Sequence, residues 1–266
     1  MLKIQKYTCA QSLDEAYAAL MKNPKNCIIG GMIWLKMEDK VVPEAIDLSS
    51  LGLDQIEEKE DCFKIGAMVT LRELELHEQL NKATGNVIHD ALKDIVGVQL
   101  RNLATIGGSV FSRFGFSDVL CALMCLDASV HLYHAGEMSI QEFSKSNIQR
   151  DIITHITIKK NDWKSAFVCL RRSTTCMQWS KTTDISVLNV AVSKSNQYHI
   201  CVGARPGVAT RYDVEIDDID KVASMIQDKV ICGSNMRGSK EYRSHLVKVL
   251  TARALRKVES QDAGTN

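Results

Sequence analysis

The chain contains 266 residues, of which 45% are hydrophobic and 24% charged, the composition of an ordinary globular protein. This length suffices for one large domain or two modest ones. The formal net charge of +1 lacks the basic excess that is typical of nucleic-acid-binding proteins. No run approaches the roughly 20 apolar residues that span a bilayer, and the first residues lack the apolar core of a signal peptide. We therefore expect a cytoplasmic protein that binds neither nucleic acid nor a membrane.

The chain has nine cysteines and seven histidines. Without a secretion signal, an odd number of cysteines is more typical of reduced thiols than of disulfides. No CxxC pair occurs, and Cys121 and Cys125 lie within an apolar run where small thiols pack into a helix core. The histidines show no metal-ligand spacing. We predict no metal site in this chain.

The first part of the chain alternates short strands and helices. Residues 2–7 alternate like a strand. Ser12 and Glu15 have the spacing of a capping box at a helix start, and residues 27–29 form a brief apolar strand that ends in a glycine pair. The further elements predicted before residue 100 are a short helix over 32–37, a strand over 63–68, a helix over 71–80 capped by Thr70 and Glu73, and a helix over 89–96.

Two glycine pairs, Gly30-Gly31 and Gly107-Gly108, follow β-like sequence. Glycine allows a positive φ and a close approach of the backbone, which exposes N–H groups to phosphate oxygens. Residues 100–111 mix β-branched residues with the second pair and are predicted as an irregular strand and loop. Neither pair fits the GxGxxG or P-loop pattern, so each pair alone also fits an ordinary turn. The hydroxyl groups around the second pair belong to Thr105, Ser109, Ser112 and Ser117.

The rest of the chain changes in character after residue 160. A nearly apolar segment over 118–126 predicts a buried helix that begins at a Ser117-Asp118 cap. Strands followed by helices predict a separate α+β domain with a three-stranded antiparallel sheet, and we place the boundary near Lys160, between domains of residues 1–160 and 161–266. The remaining predicted elements are strands over 129–133, 151–158, 166–172, 185–192 and 198–202, and a long helix over 240–257.

The residues around the second glycine pair resemble one protein family. Residues 100–132, LRNLATIGGSVFSRFGFSDVLCALMCLDASVHL, are similar to the second FAD loop in flavin subunits of the molybdenum hydroxylases, the family of xanthine dehydrogenase and carbon monoxide dehydrogenase. That family has R-N-x-A-T-I-G-G-N, a short variable loop, S-D, and an apolar helix ending in L-D-A. Segments that match in the same order are IIGGMIWLKM, FKIGAMVTLREL, MSIQEF, DIITHITI, SAFVCLRRS, DISVLNVAVS, VGARPGVATR and YRSHLVKVLTARAL. The resemblance covers nearly the whole chain.

The resemblance implies an α+β fold in which FAD is clasped between two N-terminal subdomains of the vanillyl-alcohol-oxidase, or PCMH, type. Carried over by position, residues 29–34 wrap the diphosphate, and the second loop contacts the diphosphate and ribityl chain. Apolar side chains at Ile95 and at Ile152 or Ile153 flank the adenine. The cofactor-binding residues implied in this way are Ile29, Gly30, Gly31, Met32, Ile33, Trp34, Ile95, Thr105, Gly107, Gly108, Ser109, Ser112, Ser117, Asp118 and Ile152. No catalytic residue is implied in this chain.

The resemblance also implies an electron-transfer role. In such enzymes a large subunit hydroxylates the substrate at a molybdopterin-bound molybdenum. Electrons then pass through two [2Fe-2S] clusters of a small subunit to FAD and on to NAD. A purine is the expected substrate, with nicotinate, other heteroaromatics and aldehydes as alternatives. We therefore expect a xanthine dehydrogenase-like, FAD-dependent oxidoreductase subunit in a hetero-oligomer, whose partners are the large molybdopterin subunit, the small [2Fe-2S] subunit and NAD.

The first loop departs from the family. Where the family has Gly-Gly-Thr-Asp, this chain has Gly30-Gly31-Met32-Ile33, and each lost hydrogen bond costs about 1–3 kcal/mol. In the second loop, Arg113 either pairs with a phosphate or faces solvent or a partner subunit. The alternative function is therefore a degenerate family member that acts as a structural subunit with weak or no FAD binding. A free-standing flavin oxidase is disfavoured, because residues 28–37 contain no His or Cys to link a flavin.

Overall fold

The computed structural model describes residues 1–171 and 185–263, with side chains up to residue 261. The chain forms two compact units. The first unit consists of Met1–Glu73, Val98–Ser112 and Ala128–Lys159, and the second of Leu74–Gly97, Arg113–Asp127 and Lys160–Asn266. The second unit therefore combines the C-terminal part of the chain with two segments from the N-terminal part.

Strands and helices alternate along the described residues. The strands are β1 Lys3–Cys9, β2 Cys27–Ile29, β3 Val41–Asp47, β4 Ile56–Glu58, β5 Cys62–Gly66, β6 Ala128–Leu132, β7 Gly136–Ser139, β8 Ile153–Lys159, β9 Lys164–Arg171, β10 Ser186–Lys194, β11 Tyr198–Gly203 and β12 Thr210–Val214. The helices are α1 Leu13–Lys22, α2 Leu71–Leu76, α3 Glu78–Ala83, α4 Val87–Leu92, α5 Val98–Arg101, α6 Ile106–Phe111, α7 Asp118–Cys125, α8 Ile140–Lys145, α9 Ile219–Lys229 and α10 Lys240–Ala263, with short 3₁₀ helices at Leu35–Met37 and Ser49–Leu51. Within this described part, no helix combines the length and the apolar character that a bilayer span requires.

The first unit contains a parallel three-stranded sheet in the order β1-β3-β2. The helix α1 connects the two outer strands, β1 and β2. A crossover of this kind is needed because a tight turn reverses the direction of the chain and so joins only antiparallel strands. This helix buries Ala16 and Leu20 against Ile46 and Leu48. Ile152, which lies just before β8, joins the same core. The end of β2 is thereby held next to the segment that leads into β8.

The second sheet of the first unit is antiparallel, in the order β4-β5-β8-β6-β7. In β8, Ile156 and Ile158 are buried, whereas Thr157 between them is partly exposed. This alternation is typical of a sheet with one face on a core and the other toward solvent. The helix α6 packs against β8, so the second glycine pair is positioned by this sheet.

The second unit is built on an antiparallel four-stranded sheet in the order β12-β11-β10-β9. The first eight residues of β10 are buried, which requires cover on both faces of the strand. On one face, Leu188, Val190 and Val192 share a core with Leu246, Val247 and Leu250 of α10. On the other face, Asn189 and Ser193 hydrogen-bond to residues of α7. The sheet is thus enclosed between α7 and α10.

A buried carboxylate joins α7 to this sheet. Asp118 accepts a hydrogen bond from Arg171 at 2.6 Å, from the Ser186 hydroxyl at 2.7 Å and from the Asn189 amide at 2.5 Å. Burial raises the pKa of the Asp118 carboxyl, and the Arg171 guanidinium opposes that rise. Because the ion pair is nearly excluded from solvent, each charge depends on its partner.

The helix starts predicted from the caps at Ser12, Thr70 and Ser117 are confirmed. Ser12 accepts a hydrogen bond from the Glu15 N–H at 3.1 Å, although the Glu15 carboxylate accepts from the Gln11 N–H rather than from that of Ser12. The box of Thr70 and Glu73 forms in both directions. Ser117 caps α7 by accepting from the Leu120 N–H at 3.1 Å. Short polar side chains that satisfy a helix terminus are readable from sequence, because their partners are only three residues away.

The prediction of an irregular strand and loop over residues 100–111 is wrong. These residues form α5 and α6, and Thr105 caps the second helix by accepting from the Gly108 N–H at 3.3 Å. The β-branched residues and the glycine pair indicate poor helix propensity, but the Thr105 cap and packing against β8 stabilise the helix. Tertiary contacts therefore override the local preference.

Two further predictions also need correction. The single helix over 71–80 is interrupted at His77, whose ring nitrogen accepts from the Leu80 N–H and begins a new helix. The C-terminal sheet has four strands rather than three, because β12 lies at its edge. The charged residues Arg211 and Asp213 are typical of an edge strand, but they give β12 no apolar pattern by which the sequence could predict it. The predicted strand end at Arg172 lies outside the described residues.

We expect replacement of Asp118 to be strongly destabilising. Asp118→Ala leaves the nearly buried Arg171 guanidinium without its counter-charge, which costs about 3–5 kcal/mol of unfolding free energy. The control is Asp220→Ala, which removes an exposed ion pair to Arg256 and should cost less than about 1 kcal/mol. Chemical denaturation of both variants without added ligand measures the difference. Equal midpoints for the two variants would contradict a structural role for the buried pair.

Candidate cofactor site

A cavity of about 390 Å³ lies within the first unit. Its walls come from the end of β2, the first turns of α6 and the segment before β8. Its volume lies in the range of small-molecule binding sites. The residues of the predicted cofactor site that line it are Ile29, Gly30, Thr105, Gly107, Gly108, Ser112 and Ile152, and Ile153 lines it as well.

The second glycine pair lies in the first turn of α6 and packs closely on neighbouring backbone. The Gly107 N–H donates to the Ala67 carbonyl at 2.9 Å, and a Cβ on Gly107 would lie 2.7 Å from that oxygen. The Gly108 N–H donates to the Thr105 hydroxyl oxygen. These N–H groups are therefore bonded within the protein, contrary to the expectation that the pair exposes them to phosphate oxygens.

Two predicted hydroxyl donors are also engaged within this helix. Ser109 donates to the Thr105 carbonyl at 2.9 Å, and Ser112 donates to the Gly108 carbonyl at 2.6 Å. Such bonds to the preceding turn are common for serine in helices. Thr105 uses its oxygen as the helix cap, so its hydroxyl proton can still point toward a ligand.

The first glycine pair is required by the contact between residues 30–31 and 103–105. A Cβ on Gly30 would lie 2.7 Å from the Thr105 hydroxyl oxygen, and one on Gly31 would overlap the Leu103 carbonyl. Only glycine allows the two segments to approach this closely. The contact places the residues that follow β2 directly against the N-terminus of α6.

The backbone after β2 supplies the donors that the second pair lacks. Among the described residues, the N–H groups of Gly30, Gly31, Met32 and Ile33 have no hydrogen-bond acceptor. Met32 has a φ of 55°, a left-handed conformation that is uncommon for a residue other than glycine. Successive N–H groups in such a turn form a concave site for an anion. The Met32 side chain packs against the apolar cluster around Ile29 and so forms part of the core of the unit.

Three charged residues line the cavity, and sequence patterns single out none of them. Arg150 donates to the carbonyls of Leu20, Asn23 and Pro24, and so ties the end of α1 to the segment before β8. The Asp151 carboxylate accepts from the N–H groups of residues 134, 135 and 152. Lys40 is half-exposed and pairs with Glu38 at 2.6 Å. Lys40 is therefore the cation that can turn toward an anion at least cost.

Asn26 is a further residue of the cavity wall, and no sequence motif indicates it. Its side-chain amide nitrogen donates to the Ala19 carbonyl at 2.8 Å, and the residue is only 5% exposed. Its side-chain oxygen has no hydrogen-bond partner in the part of the chain that the structure describes. A polar residue just before an apolar strand gives no motif by which to find it.

The remaining predicted residues are placed elsewhere. Gly31, Met32, Ile33, Trp34 and Ser109 belong to the first unit but do not line the cavity. Ile95, Ser117 and Asp118 belong to the second unit, where Ser117 caps α7 and Asp118 bonds within the sheet. Their contact with a cofactor stays a prediction, as does the role of Arg113. Within the described ranges, no three His, Cys, Asp or Glu side chains could together hold a metal ion.

Comparison with known proteins decides the family. Residues 2–158 match the family described as the FAD binding domain in molybdopterin dehydrogenase. The chain belongs to this family. The resemblance inferred from the motif order is confirmed, and with it the PCMH-type FAD-binding fold followed by an α+β part. This places the chain among the FAD-binding subunits of oxidoreductases.

Relatives in sequence and a solved structure support the assignment. The medium chain of glyceraldehyde dehydrogenase from Sulfolobus acidocaldarius is 25% identical, over 95% of this chain and 97% of the relative. The FAD-subunit of nicotinate dehydrogenase from Eubacterium barkeri is 25% identical, over 66% of this chain and 63% of the relative. Among solved structures, a chain of carbon monoxide dehydrogenase from Hydrogenophaga pseudoflava matches with a TM-score of 0.82 at 20% identity, over 96% of this chain and 97% of that chain. At this identity the structural likeness shows the fold.

The glycine contacts of this family member can be tested by a matched pair of substitutions. We expect Gly31→Ala to destabilise the ligand-free chain by about 1–3 kcal/mol, because the new Cβ overlaps a backbone carbonyl that cannot move freely. Gly108→Ala meets only the Thr105 hydroxyl, at 3.2 Å, and improves helix propensity, so it should change stability by less than about 1 kcal/mol. Thermal unfolding followed by circular dichroism compares the two. Gly31→Ala melting at the wild-type temperature would refute the close contact.

Proposed function

We propose that the chain binds FAD in the cavity of the first unit and acts as the electron-transfer flavoprotein subunit of a molybdenum hydroxylase. The observation that carries this proposal is the run of four N–H groups, from Gly30 to Ile33, that have no acceptor among the described residues. They follow a strand that ends on the cavity wall, in a chain of the FAD-binding family. A diphosphate supplies the acceptors that such a turn needs.

The residues around the cavity fit the rest of the cofactor. Ile29, Phe111 and Ile152 offer apolar surface for rings, and the Thr105 hydroxyl lies against Gly30 of the first loop. Lys40 supplies a positive charge that can balance part of the diphosphate. FAD bound there would supply the transfer of electrons from the iron-sulfur clusters of a partner to NAD. The chain itself binds and orients the cofactor and needs no acid or base of its own.

The departure of the first loop from the family pattern does not remove this binding mode. Thr and Asp are replaced by Met32 and Ile33, but the donors proposed for the diphosphate are backbone groups. The replacement therefore lowers affinity through lost side-chain hydrogen bonds and leaves the anion site in place. The competing function, a structural subunit without flavin, rests on the same two residues. Titration of the purified chain with FAD distinguishes the two functions.

We expect the purified chain to bind one FAD per chain, with a flavin absorption spectrum and a change in flavin fluorescence on titration. FMN lacks the adenosine and one phosphate, so its affinity should be lower by at least about tenfold. The Asp220→Ala variant, altered on the surface of the second unit, should bind FAD like the wild type. A folded, colourless chain that takes up no FAD would instead support the structural subunit.

We further propose that the chain works in a complex with a large molybdopterin subunit and a small [2Fe-2S] subunit, and that NAD is its electron acceptor. The support is the naming of relatives as a medium chain and as an FAD-subunit. A purine is our proposed substrate for the large subunit. Relatives named for glyceraldehyde and nicotinate make those two compounds the comparisons of choice.

Affinity purification of the tagged chain from its source should recover two partner polypeptides, with molybdenum and iron detected by elemental analysis. The purified complex should reduce NAD when a purine is supplied, and nicotinate and glyceraldehyde should be poorer substrates. Reduction of a dye but not of NAD would contradict the proposed acceptor. A preference for either comparison substrate would contradict the purine. Recovery of the chain alone would contradict the complex.

A further inference from the structure

The amide of Asn26 has a fixed orientation on the wall of the cavity. Its backbone N–H donates to the Asn23 carbonyl at 3.0 Å, and its side-chain nitrogen donates to the Ala19 carbonyl at 2.8 Å. A carbonyl can only accept, so the nitrogen of the amide must face Ala19. The positions of the amide nitrogen and oxygen therefore cannot be exchanged, and the oxygen, Oδ1, is left as an acceptor.

This oxygen is buried without a donor. Asn26 is 5% exposed, and no described residue donates to its Oδ1. A buried polar atom without a partner is costly, and in native proteins it commonly marks a place where a ligand or water completes the bonding. Two donors in the segment before β8 do not serve this oxygen. Arg150 donates to the carbonyls of Pro24 and Asn23, and the Ile152 N–H donates to the Asp151 carboxylate.

The position of Asn26 relative to the first loop suits the base of a dinucleotide. Asn26 precedes Gly30 by four residues of nearly extended chain, which spans roughly 13 Å. A nucleotide with its diphosphate at residues 30–33 reaches such a distance through its ribose and base. Apolar groups of Ile28 and Ile152 line the same cavity and suit the faces of a planar ring.

We propose that the Asn26 side-chain oxygen accepts a hydrogen bond from the 6-amino group of the adenine of FAD, and that it selects adenine over 6-oxopurines. This inference rests on the proposed binding of FAD. The 6-amino group is the hydrogen-bond donor on the edge of the base. A 6-oxopurine presents an acceptor at the same place, so two acceptors face each other and neither is satisfied.

The test compares FAD with its deaminated analogue, in which hypoxanthine replaces adenine and the flavin is unchanged. Both are titrated into the flavin-free wild-type chain and followed by flavin fluorescence. We expect the analogue to bind at least about tenfold more weakly than FAD. Affinities for the two flavins within about twofold of each other would overturn the inference while leaving FAD binding established. Failure of the folded chain to bind either flavin would overturn the proposed function and the inference together.

Substitution of Asn26 provides the second arm. Asn26→Leu keeps the approximate size of the side chain and removes the acceptor. It should weaken FAD binding and bring the ratio of the two affinities close to one. Asn23→Ala, in the same turn but outside the cavity wall, should keep the wild-type ratio. An unchanged ratio in Asn26→Leu would overturn the inference. If this variant does not fold, the wild-type ratio alone decides it.

Discussion

The contact between the chain after β2 and the chain before α6 sets the shape of the first unit. Gly31 lies against the Leu103 carbonyl so closely that no side chain fits between them, and a Cβ on Gly107 would lie only 2.7 Å from the Ala67 carbonyl oxygen. Hydrogen bonds from Ile106 to Val69 and from Leu71 to Ala104 hold the same segments together. Each contact places backbone against backbone, so small changes in either segment are transmitted to the cavity between β2 and α6.

This close packing explains which groups remain for a ligand. The first turn of α6 uses its N–H groups on Ala67, Val69 and Thr105, so these N–H groups are already bonded within the protein. Residues 30–33 keep their N–H groups unbonded within the described chain, and Met32 among them has a left-handed φ. A site made of backbone donors tolerates side-chain change, because the donors persist whatever the side chain is. Apolar residues can therefore replace polar ones in the first loop without removing these backbone donors.

The second unit uses buried polar groups in a different way. Asp118 forms an ion pair and two hydrogen bonds inside the unit, and these link α7 to two strands. A carboxylate so placed contributes to the fold whether or not it also contacts a cofactor. In the first unit, Asn26 is the contrasting case, since one half of its amide is bonded to the protein and the other half is not. Incomplete bonding of this kind points to a ligand more directly than a fully bonded group does.

The sequence by itself determined the features that depend on near neighbours and on motif order. The caps at Ser12, Thr70 and Ser117 need partners three residues away, and the ordered segments around Gly107-Gly108 suffice to indicate the family. Only the tertiary structure decided that residues 106–111 form a helix, because its stability comes from packing on β8. The same holds for the cavity wall. Arg150 and Asp151 lie far from both glycine pairs in sequence, and Asn26, four residues before Gly30, belongs to no motif, so only the folded chain shows that they share one wall.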